Sequence, residues 1–459
     1  MKSKSLDMTE GNLFKKIFLY SLPIVFSGIL QLLYYAFDLI ICGTYGSSNS
    51  TAAISSTNSL INLIVNLFLG LSVGANVLMA RCYGQKNKEK ADRVAYTSMV
   101  FSLIVGIGIG AFGILTSGFF LKLMGTTEDV IELSTAYLRI YFLGLPFSMI
   151  YNFGAAILRA TGDSRRPFYY LTLSGIANIL LNLLFVIVFK LDVPGVAIAT
   201  VISQGISALL IILALIFHTN FFEFKIKKIR LYKEEALEII RIGIPAGLQG
   251  VIFSFSNVLI QSSINSLGTA VVGGNGASSS LEGFVYTSMN GVAQACAAFV
   301  SANYGAGKKK NIRSCVLYST ILVVFMNFIV GGLIFLFRRE LLGLYVTDEA
   351  SIVAGLDRFL IIVVTYFLCG FMDVYANALR GIGYSVTPMI ISLIGACGFR
   401  IFWIYTFFPM NELHNISGLA VSYPISWTLT AFFQILLFII LFNKLRFNDN
   451  IKLELEGEY

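Results

Sequence analysis

Residues 13–43 read LFKKIFLYSLPIVFSGILQLLYYAFDLIICG, a nearly unbroken run of apolar side chains. About 20 such residues are enough for an α-helix to cross the hydrocarbon core of a bilayer. Runs of comparable length recur along the chain, near 14–43, 52–80, 94–121, 134–158, 168–189, 195–217, 238–266, 270–301, 315–337, 355–379, 386–408 and 416–442. The sequence therefore predicts an all-α integral membrane protein with twelve transmembrane helices.

The composition excludes a water-soluble globular protein. Of the 459 residues, 56% are hydrophobic and 13% are charged, which is about half the charged share of a soluble domain. With the amino terminus in the cytoplasm, 26 of the 33 Lys and Arg residues fall on the cytoplasmic side. This bias predicts a multi-pass protein of the plasma (inner) membrane with both termini in the cytoplasm. The net charge of +8 is then an orientation signal, and nucleic acid is not expected as a partner.

Cysteine and histidine usage gives no sign of a metal centre. The six Cys are dispersed, mostly in apolar spans and without a CxxC pair, and the two His lie near membrane edges. We therefore expect the Cys to be packing residues, and we expect no metal or cofactor other than a coupling ion.

A repeated motif divides the chain into two halves. Residues 159–167 read RATGDSRRP and residues 380–388 read RGIGYSVTP, with Arg, Gly, Ser and Pro at the same places 221 residues apart. Three more pairs recur in the same order, namely LPIVFSG (22–28) with IPAGLQG (244–250), RCYGQKNK (81–88) with ANYGAGKK (302–309), and PGVAIATVISQ (194–204) with SGLAVSYPISW (417–427). Because six spans separate equivalent points, both halves enter the membrane from the same side, as in transporters built from parallel repeats.

The repeated motif also predicts local structure. We expect its Gly to let the chain turn after spans four and ten, and its Pro to begin the next helix at the first position. We expect its Arg to anchor the helix end at the membrane interface.

The repeat predicts two pseudo-symmetric six-helix bundles. We place an N-terminal lobe at 1–217, a basic cytoplasmic linker at 218–236 and a C-terminal lobe at 237–459. The linker fits a simple solvated loop equally well. We expect the chain to act as a monomer, with a substrate path where the two repeats meet.

Several of these segments resemble multidrug and toxic compound extrusion (MATE) transporters. The resemblance lies in LPIVFSGILQLLYYAFD, ARCYGQKN and LRATGDSRRP in the first half, and in LEGFVYTSMNGVAQACAAFVSANYGAGKKK and ALRGIGYSVTP in the second. It covers nearly the whole chain and is strongest toward bacterial DinF-like members. It implies a V-shaped pair of bundles, an alternating-access cycle, and export of mainly cationic organic compounds in exchange for inward H⁺ or Na⁺.

Polar side chains inside the spans are candidate site residues, because an ionisable group in the membrane is costly and usually faces a cavity or a partner. Asp38 is the only acid well inside the first six spans, and it shares a helical face with Gln31 and Tyr35. The other candidates for lining a substrate chamber in this half are Asn62, Asn66, Tyr151 and Asn152, with Asn178 and Asn182 one turn apart on span five. Interhelical hydrogen bonding is the alternative for each Asn.

The resemblance implies roles for three of these residues. The family's span-one Asp, which is implicated in cation coupling, corresponds to Asp38. The span-five N-x-x-x-D pattern of proton-coupled relatives corresponds to Asn178 and Asn182. An amide at 182 cannot take up a proton near neutral pH, so Asp38 is expected to carry any coupling in this lobe alone.

The second half carries more charge inside its spans. Arg400 lies within span eleven, where a lone Arg is expected to pair with an acid, and Asp373 and Glu282 are available. The candidates for a second ion or substrate site are Asn257, Glu282, Tyr286, Asn290, Asp373 and Arg400. A salt bridge that only holds helices together is the alternative.

Three other functional classes fit the sequence less well. An integral-membrane enzyme needs an Asp-rich cluster, an HExxH motif or a Ser/His arrangement, and the sequence has none of them. A flippase or an exporter of a lipid-linked or dedicated metabolite stays open as the alternative, although Arg400 is the only clearly intramembrane base. A channel needs a continuous pore, whereas two similar halves with a lone buried acid suit a cycle that occludes its substrate.

Overall fold

The computed structural model describes residues 6–47, 49–219 and 221–445, which are almost entirely helical. The long helices, α1 to α12 in chain order, are Leu13–Tyr45, Ser50–Gln85, Lys88–Leu123, Glu128–Ala160, Arg165–Val188, Asp192–Phe217, Lys233–Asn265, Thr269–Gly305, Lys309–Leu336, Glu349–Thr365 with Phe367–Gly381, Val386–Thr406 and Ile416–Lys444. A short helix, Arg338–Gly343, connects α9 to α10.

The twelve predicted spans correspond to these twelve helices. Within the described ranges, ten of them are long and apolar enough to cross a bilayer, or eleven when the two pieces of α10, which are bent by 46°, count as one span. The helix left over is α8, whose 37 residues include many Ser, Gly and Asn as well as Glu282. The prediction of an all-α membrane protein is confirmed, and α8 is the span that apolarity alone does not identify.

Residue contacts divide the chain into two compact units. The first unit contains Leu6 and residues 29–244, and the second contains residues 7–28 and 245–445. The amino-terminal parts of α1 and α7 therefore belong to a different unit from the rest of each helix. The lobe bounds 1–217, 218–236 and 237–459 stay a prediction about the two sequence halves.

The ends of α4 and α10 repeat each other in their backbone geometry. The Gly162 amide donates to the Arg159 carbonyl at 2.9 Å, and the Gly383 amide donates to the Arg380 carbonyl at 2.9 Å. The two glycines have φ values of +89° and +105°, in the left-handed region that glycine adopts without steric cost. The turn predicted for the repeated motif is therefore confirmed in both halves.

Two details of that motif differ from the prediction. Pro167 and Pro388 are the third residues of α5 and α11, not the first, since these helices begin at Arg165 and Val386. Arg380 does not anchor the helix end at the membrane interface. Its side chain is buried and its Nη2 donates to Gln249 Oε1 at 2.6 Å.

Close helix packing in the first unit depends on small residues. A Cβ atom on Gly106 of α3 would lie 2.7 Å from the Cα atom of Pro146 in α4, and one on Gly110 would lie 2.8 Å from the Phe142 carbonyl oxygen. Glycine lets the two helices approach closely, as is usual for membrane helices. All six Cys are buried and free, in agreement with the prediction that they are packing residues.

Three long helices contain one turn of π-helix each. These turns are Leu184–Val188 in α5, Asn327–Gly331 in α9 and Leu393–Gly398 in α11. A π turn holds one more residue than an α turn, so it shifts the register of the side chains that follow it. The turns of α5 and α11 come at different distances from the starts of these two equivalent helices.

The segment before α7 is held by specific hydrogen bonds within the first unit. The Glu223 amide donates to Asp92 Oδ1 at 2.9 Å, and the Tyr96 hydroxyl donates to the Glu223 carbonyl at 2.9 Å. The Lys225 amide in turn donates to the Tyr96 hydroxyl at 3.1 Å. This part of the predicted linker is therefore docked on the start of α3.

The segment before α1 is held in a comparable way within the second unit. Asn303 Nδ2 donates to the Met8 carbonyl at 2.9 Å, and Asn311 Nδ2 donates to the Thr9 carbonyl at 2.8 Å. Asn303 and Asn311 belong to α8 and α9. Both halves thus fix the segment that enters their first helix through side chains of other helices, which are α3 in the first half and α8 and α9 in the second.

We expect Gly162→Ala to destabilise the protein. A Cβ atom at this position would lie 2.2 Å from the Leu6 carbonyl oxygen, and a left-handed backbone costs an L-residue about 1–2 kcal/mol. Thermal unfolding of the purified protein in detergent, followed by size-exclusion chromatography, measures the loss.

The matched control is Gly108→Ala, because a Cβ atom on this helical glycine of α3 meets no heavy atom within 4 Å. We expect the midpoint temperature of thermal unfolding of Gly108→Ala to equal or exceed that of the wild type. Equal midpoints for the two variants would contradict the strain assigned to Gly162.

Candidate functional site

The carboxylate of Asp38 lies on α1 inside the first unit and is only 8% exposed. Asn182 Nδ2 on α5 donates to Asp38 Oδ1 at 2.5 Å and to Asn178 Oδ1 at 3.2 Å. Asn178 Nδ2 in turn donates to Thr200 Oγ1 on α6 at 3.5 Å. The structure thus joins the three predicted coupling residues in one buried set, which we call the Asp38 cluster (Asp38, Asn178, Asn182 and Thr200).

Aromatic and apolar side chains enclose this cluster. Tyr35 and Tyr137 lie within electrostatic range of Asp38, and both pack with Ile41 and Val186 in an apolar group of the first unit. Asn182 is fully buried, and its Oδ1 atom has no hydrogen-bond partner within the part of the chain that the structure describes. A buried carboxylate next to an unused amide oxygen is chemically able to take up a proton or a small cation.

Two other candidates of the first unit, Tyr151 and Asn152, make local contacts. The Tyr151 hydroxyl donates to the Pro167 carbonyl at 3.0 Å, and Asn152 Nδ2 donates to the Ser148 carbonyl at 2.9 Å. These two bonds stabilise α4 and the start of α5 and do not involve the Asp38 cluster.

The polar face of α1 and α2 is more accessible. Gln31 and Asn62 are exposed and Asn66 is half-buried. Asn62 Nδ2 donates to Asn58 Oδ1 at 2.8 Å, one turn earlier on α2. Of the substrate candidates in this unit, Tyr35 is the one that lies near Asp38.

In the second unit the predicted polar face of α8 is present. Asn290 Nδ2 donates to the Tyr286 hydroxyl at 3.4 Å, and Gln294 Nε2 donates to Asn290 Oδ1 at 2.8 Å. Tyr286 and Asn290 lie beside the buried carboxylate of Asp373 on α10. Asn257 on α7 is exposed. The structure therefore brings two other C-lobe candidates, Tyr286 and Asn290, next to Asp373.

Glu282 has a partner that the sequence analysis did not identify. Arg358 on α10 donates through Nε to Glu282 Oε1 at 3.0 Å and through Nη2 to Oε2 at 2.9 Å. Ser278 Oγ also donates to Glu282 Oε1 at 2.9 Å. Both ionic side chains are almost fully buried, so this is a bidentate ion pair inside the second unit.

The expected pairing of Arg400 with an acid is wrong. Its guanidinium carbon lies 4.1 Å from the ring centroid of Tyr423 and 5.6 Å from that of Trp427. Its Nε donates to Ser426 Oγ at 3.0 Å. Aromatic faces and a hydroxyl thus surround this cation in place of a carboxylate, an arrangement made possible by the negative face of aromatic rings.

Sequence reasoning missed Arg358, Thr200 and Tyr423. Arg358 follows Asp357 near the start of a predicted span, which made it look like a membrane-edge residue. The apolar residues on both sides of Asp357 and Arg358 were the signal in the sequence that the helix is already buried there. For Thr200 and Tyr423, helical periodicity indicates the face but does not identify the neighbouring helix.

A surface cavity of about 560 Å³ lies away from all these candidates, where the linker meets α3. Its lining includes Asp92, Arg93, Lys227 and Tyr232. Charges of both signs line this cavity, with four basic and two acidic side chains.

The sequence is similar to that of known proteins. The MatE family profile matches residues 23–184 and again residues 245–406. Among curated proteins, the chain is 27% identical over 434 residues to the probable multidrug resistance protein YoeA of Bacillus subtilis, covering 92% of each chain. It is 28% identical over 415 residues to the probable multidrug resistance protein YpnP of the same organism, covering 90% of this chain and 91% of that one.

Solved structures show the same architecture. A MOP superfamily transporter from Pyrococcus furiosus superposes with a TM-score of 0.90 at 23% identity, covering 96% of this chain and 99% of that one. A multidrug resistance MATE family transporter of the MOP superfamily, in its outward-facing conformation, gives the same TM-score and coverage. At this identity the likeness concerns the fold.

We expect Glu282→Gln to destabilise the protein by about 3–5 kcal/mol, because it leaves the Arg358 charge buried without its partner. Replacing both residues, as Glu282→Gln with Arg358→Met, is expected to restore most of the stability. Thermal unfolding of the single and double variants in detergent measures the coupling between them.

Glu349→Gln is the matched control, because it breaks the exposed ion pair of Glu349 with Arg339. Loss of such a pair costs less than about 1 kcal/mol. A Glu282→Gln variant no less stable than Glu349→Gln would show that the buried pair does not hold α8 and α10 together.

Proposed function

The chain belongs to the MatE family of transporters, and from that premise we propose that it is a secondary active antiporter that exports organic, mainly cationic, compounds. The proposed driving force is the inward movement of H⁺ or Na⁺. We place it in the plasma (inner) membrane as a monomer, with both termini in the cytoplasm, as the distribution of Lys and Arg predicts. The relatives YoeA and YpnP, which are named as probable multidrug resistance proteins, support the class of substrate.

The observation that carries this proposal is the buried carboxylate of Asp38. Burying an unpaired negative charge in a membrane protein is costly, so such a group is neutral or holds a cation. No Lys or Arg forms an ion pair with Asp38 among the residues that the structure describes. The charge is therefore available for a mobile ion, which is what ion-driven transport requires.

Asn182 can form a hydrogen bond with Asp38 in either protonation state. When Asp38 is ionised, the amide nitrogen donates to it, as in the observed contact with Oδ1. When Asp38 is protonated, rotation of the amide by half a turn lets Asn182 Oδ1 accept the new hydrogen bond. With Na⁺, the same oxygen and the carboxylate supply two ligands of the hard type that this ion prefers. A single carboxylate in the cluster limits the exchange to one positive charge per binding event.

Substrate contacts are proposed for aromatic, amide and charged side chains of the two units. In the first unit these are Gln31, Tyr35, Asn62, Asn66, Tyr151 and Asn152, and in the second unit Asn257, Glu282, Tyr286, Asn290, Asp373 and Arg400. Tyr35 and Tyr286 are the best placed of them, because each lies beside a buried acid and remains partly exposed. Aromatic faces near a carboxylate favour organic cations.

We expect Asp38→Asn to abolish ion-driven transport while leaving the protein folded. The neutral amide keeps the shape of the side chain but can neither release a proton nor bind Na⁺ by charge. Proteoliposomes loaded with ethidium, with a pH gradient and a Na⁺ gradient imposed separately, measure the transport rate and identify the coupling ion.

Asp129→Asn serves as the control, since this acid of the same unit is exposed in the first turn of α4. It should transport ethidium at the wild-type rate. If Asp38→Asn responds to the same gradient as the wild type, Asp38 is not the coupling site. If neither gradient drives transport by the wild type, the chain does not export ethidium by antiport.

A further inference from the structure

Several buried charged side chains of the second unit lie around the ring of Tyr423 on α12. The guanidinium carbon of Arg400 is 4.1 Å from its centroid and that of Arg358 is 5.1 Å from it. The two guanidinium groups therefore lie no farther apart than the sum of these distances. We call Glu282, Arg358, Arg400, Tyr423 and Ser426 the arginine cluster.

The arginine cluster contains more positive than negative charge. The bidentate pair with Glu282 neutralises Arg358. Arg400 is 3% exposed and forms no ion pair among the described residues. Asp373, the other buried acid of this unit, interacts with Arg380, Tyr286 and Asn290. One full positive charge is thus left inside the unit, where an uncompensated ion costs several kcal/mol.

Unused donor capacity is also present in this cluster. Arg358 is 4% exposed, and its Nη1 has no hydrogen-bond partner in the described part of the chain. Five N–H donors make a guanidinium group suited to binding an anion from the side that its own carboxylate does not occupy. A free donor and a free charge, both buried and on the same tyrosine ring, indicate a ligand of negative charge.

The internal repeat shows which residue of the first half corresponds to Arg400. The two family matches begin 222 residues apart, and at that separation Asp38 corresponds to Ile260 and Asn178 to Arg400. The π turn Leu393–Gly398 precedes Arg400, whereas that of α5 follows Asn178, which accounts for the extra residue relative to the 221 of the repeated motif. The second half therefore replaces an acid by an apolar side chain and an amide by a guanidinium group.

We propose that Arg358 and Arg400 bind a monovalent anion beside Tyr423, either a free halide such as chloride or the carboxylate group of a bound molecule. The anion neutralises Arg400 and accepts the free Nη1–H of Arg358. This site goes beyond the proposed antiport and does not depend on it, because binding can be measured without transport.

Trp427 provides a local probe of this site. It lies 5.6 Å from the Arg400 guanidinium carbon and is 3% exposed, so iodide in solution cannot reach it by simple collision. The sequence contains two Trp, and Trp403→Phe leaves Trp427 as the single fluorophore. In this variant of the full chain in detergent, iodide titrated against gluconate at constant ionic strength should quench the fluorescence with saturation.

Adding Arg400→Gln should weaken the apparent iodide affinity about tenfold or more, since it removes the charge that attracts the anion and a charge-assisted hydrogen bond to it. Arg400→Lys keeps the charge and should keep saturation, which guards against a folding defect in the Gln variant. Arg339→Gln, an exposed Arg of the same unit, should leave the titration unchanged.

Competition identifies the source of the anion. Relief of the quenching by chloride supports a free halide, and relief by acetate but not by chloride supports a carboxylate. Quenching that rises linearly without saturation, that is unchanged by Arg400→Gln, or that neither anion relieves would overturn the site. A transport-inactive protein that still shows saturable quenching would separate this inference from the proposed antiport.

Discussion

A charge inside a membrane protein must be neutralised, because water is not available to solvate it and the cost of leaving it unpaired is several kcal/mol. The two units meet this constraint in different ways. In the first, one carboxylate is surrounded by amides and a hydroxyl, which can solvate it but carry no charge of their own. In the second, a carboxylate and two guanidinium groups gather around an aromatic ring. The amide partners of Asp38 carry no charge that could neutralise it, whereas Glu282 and Arg358 neutralise each other.

Much of the fold follows from the sequence because helix formation in a bilayer is a local requirement. Each backbone polar group must be satisfied within its own segment, so a long apolar run is enough to predict a helix. The α8 helix departs from this rule, since Glu282 and its Ser and Asn neighbours are tolerated only because α8 buries them within the second unit. The left-handed Gly162 and Gly383 were equally local and equally predictable. The π turns and the bend in α10, which contains no proline at its break, leave no simple sequence signal.

The candidate sites were predictable to the extent that one helix decides them. The spacing of Asn178 and Asn182 alone puts them on one face of α5. Asp38 is identified because a carboxylate inside an apolar span is costly to bury. Which side chain faces which across helices is a property of the assembled unit. That is why Arg400 was expected to pair with Asp373 or Glu282, whereas Glu282 pairs with Arg358. It is also why Tyr151, a candidate wall residue, instead donates a hydrogen bond to Pro167.

The presence of both halves on one chain has a further consequence. Two identical subunits could not place an acid at one site and an apolar residue at its symmetry mate, because one gene would specify both. A chain that carries both halves has no such restriction, so Asp38 can correspond to Ile260, and Asn178 to Arg400. The two halves can therefore hold different buried charges while the glycine turns that end their helices are alike.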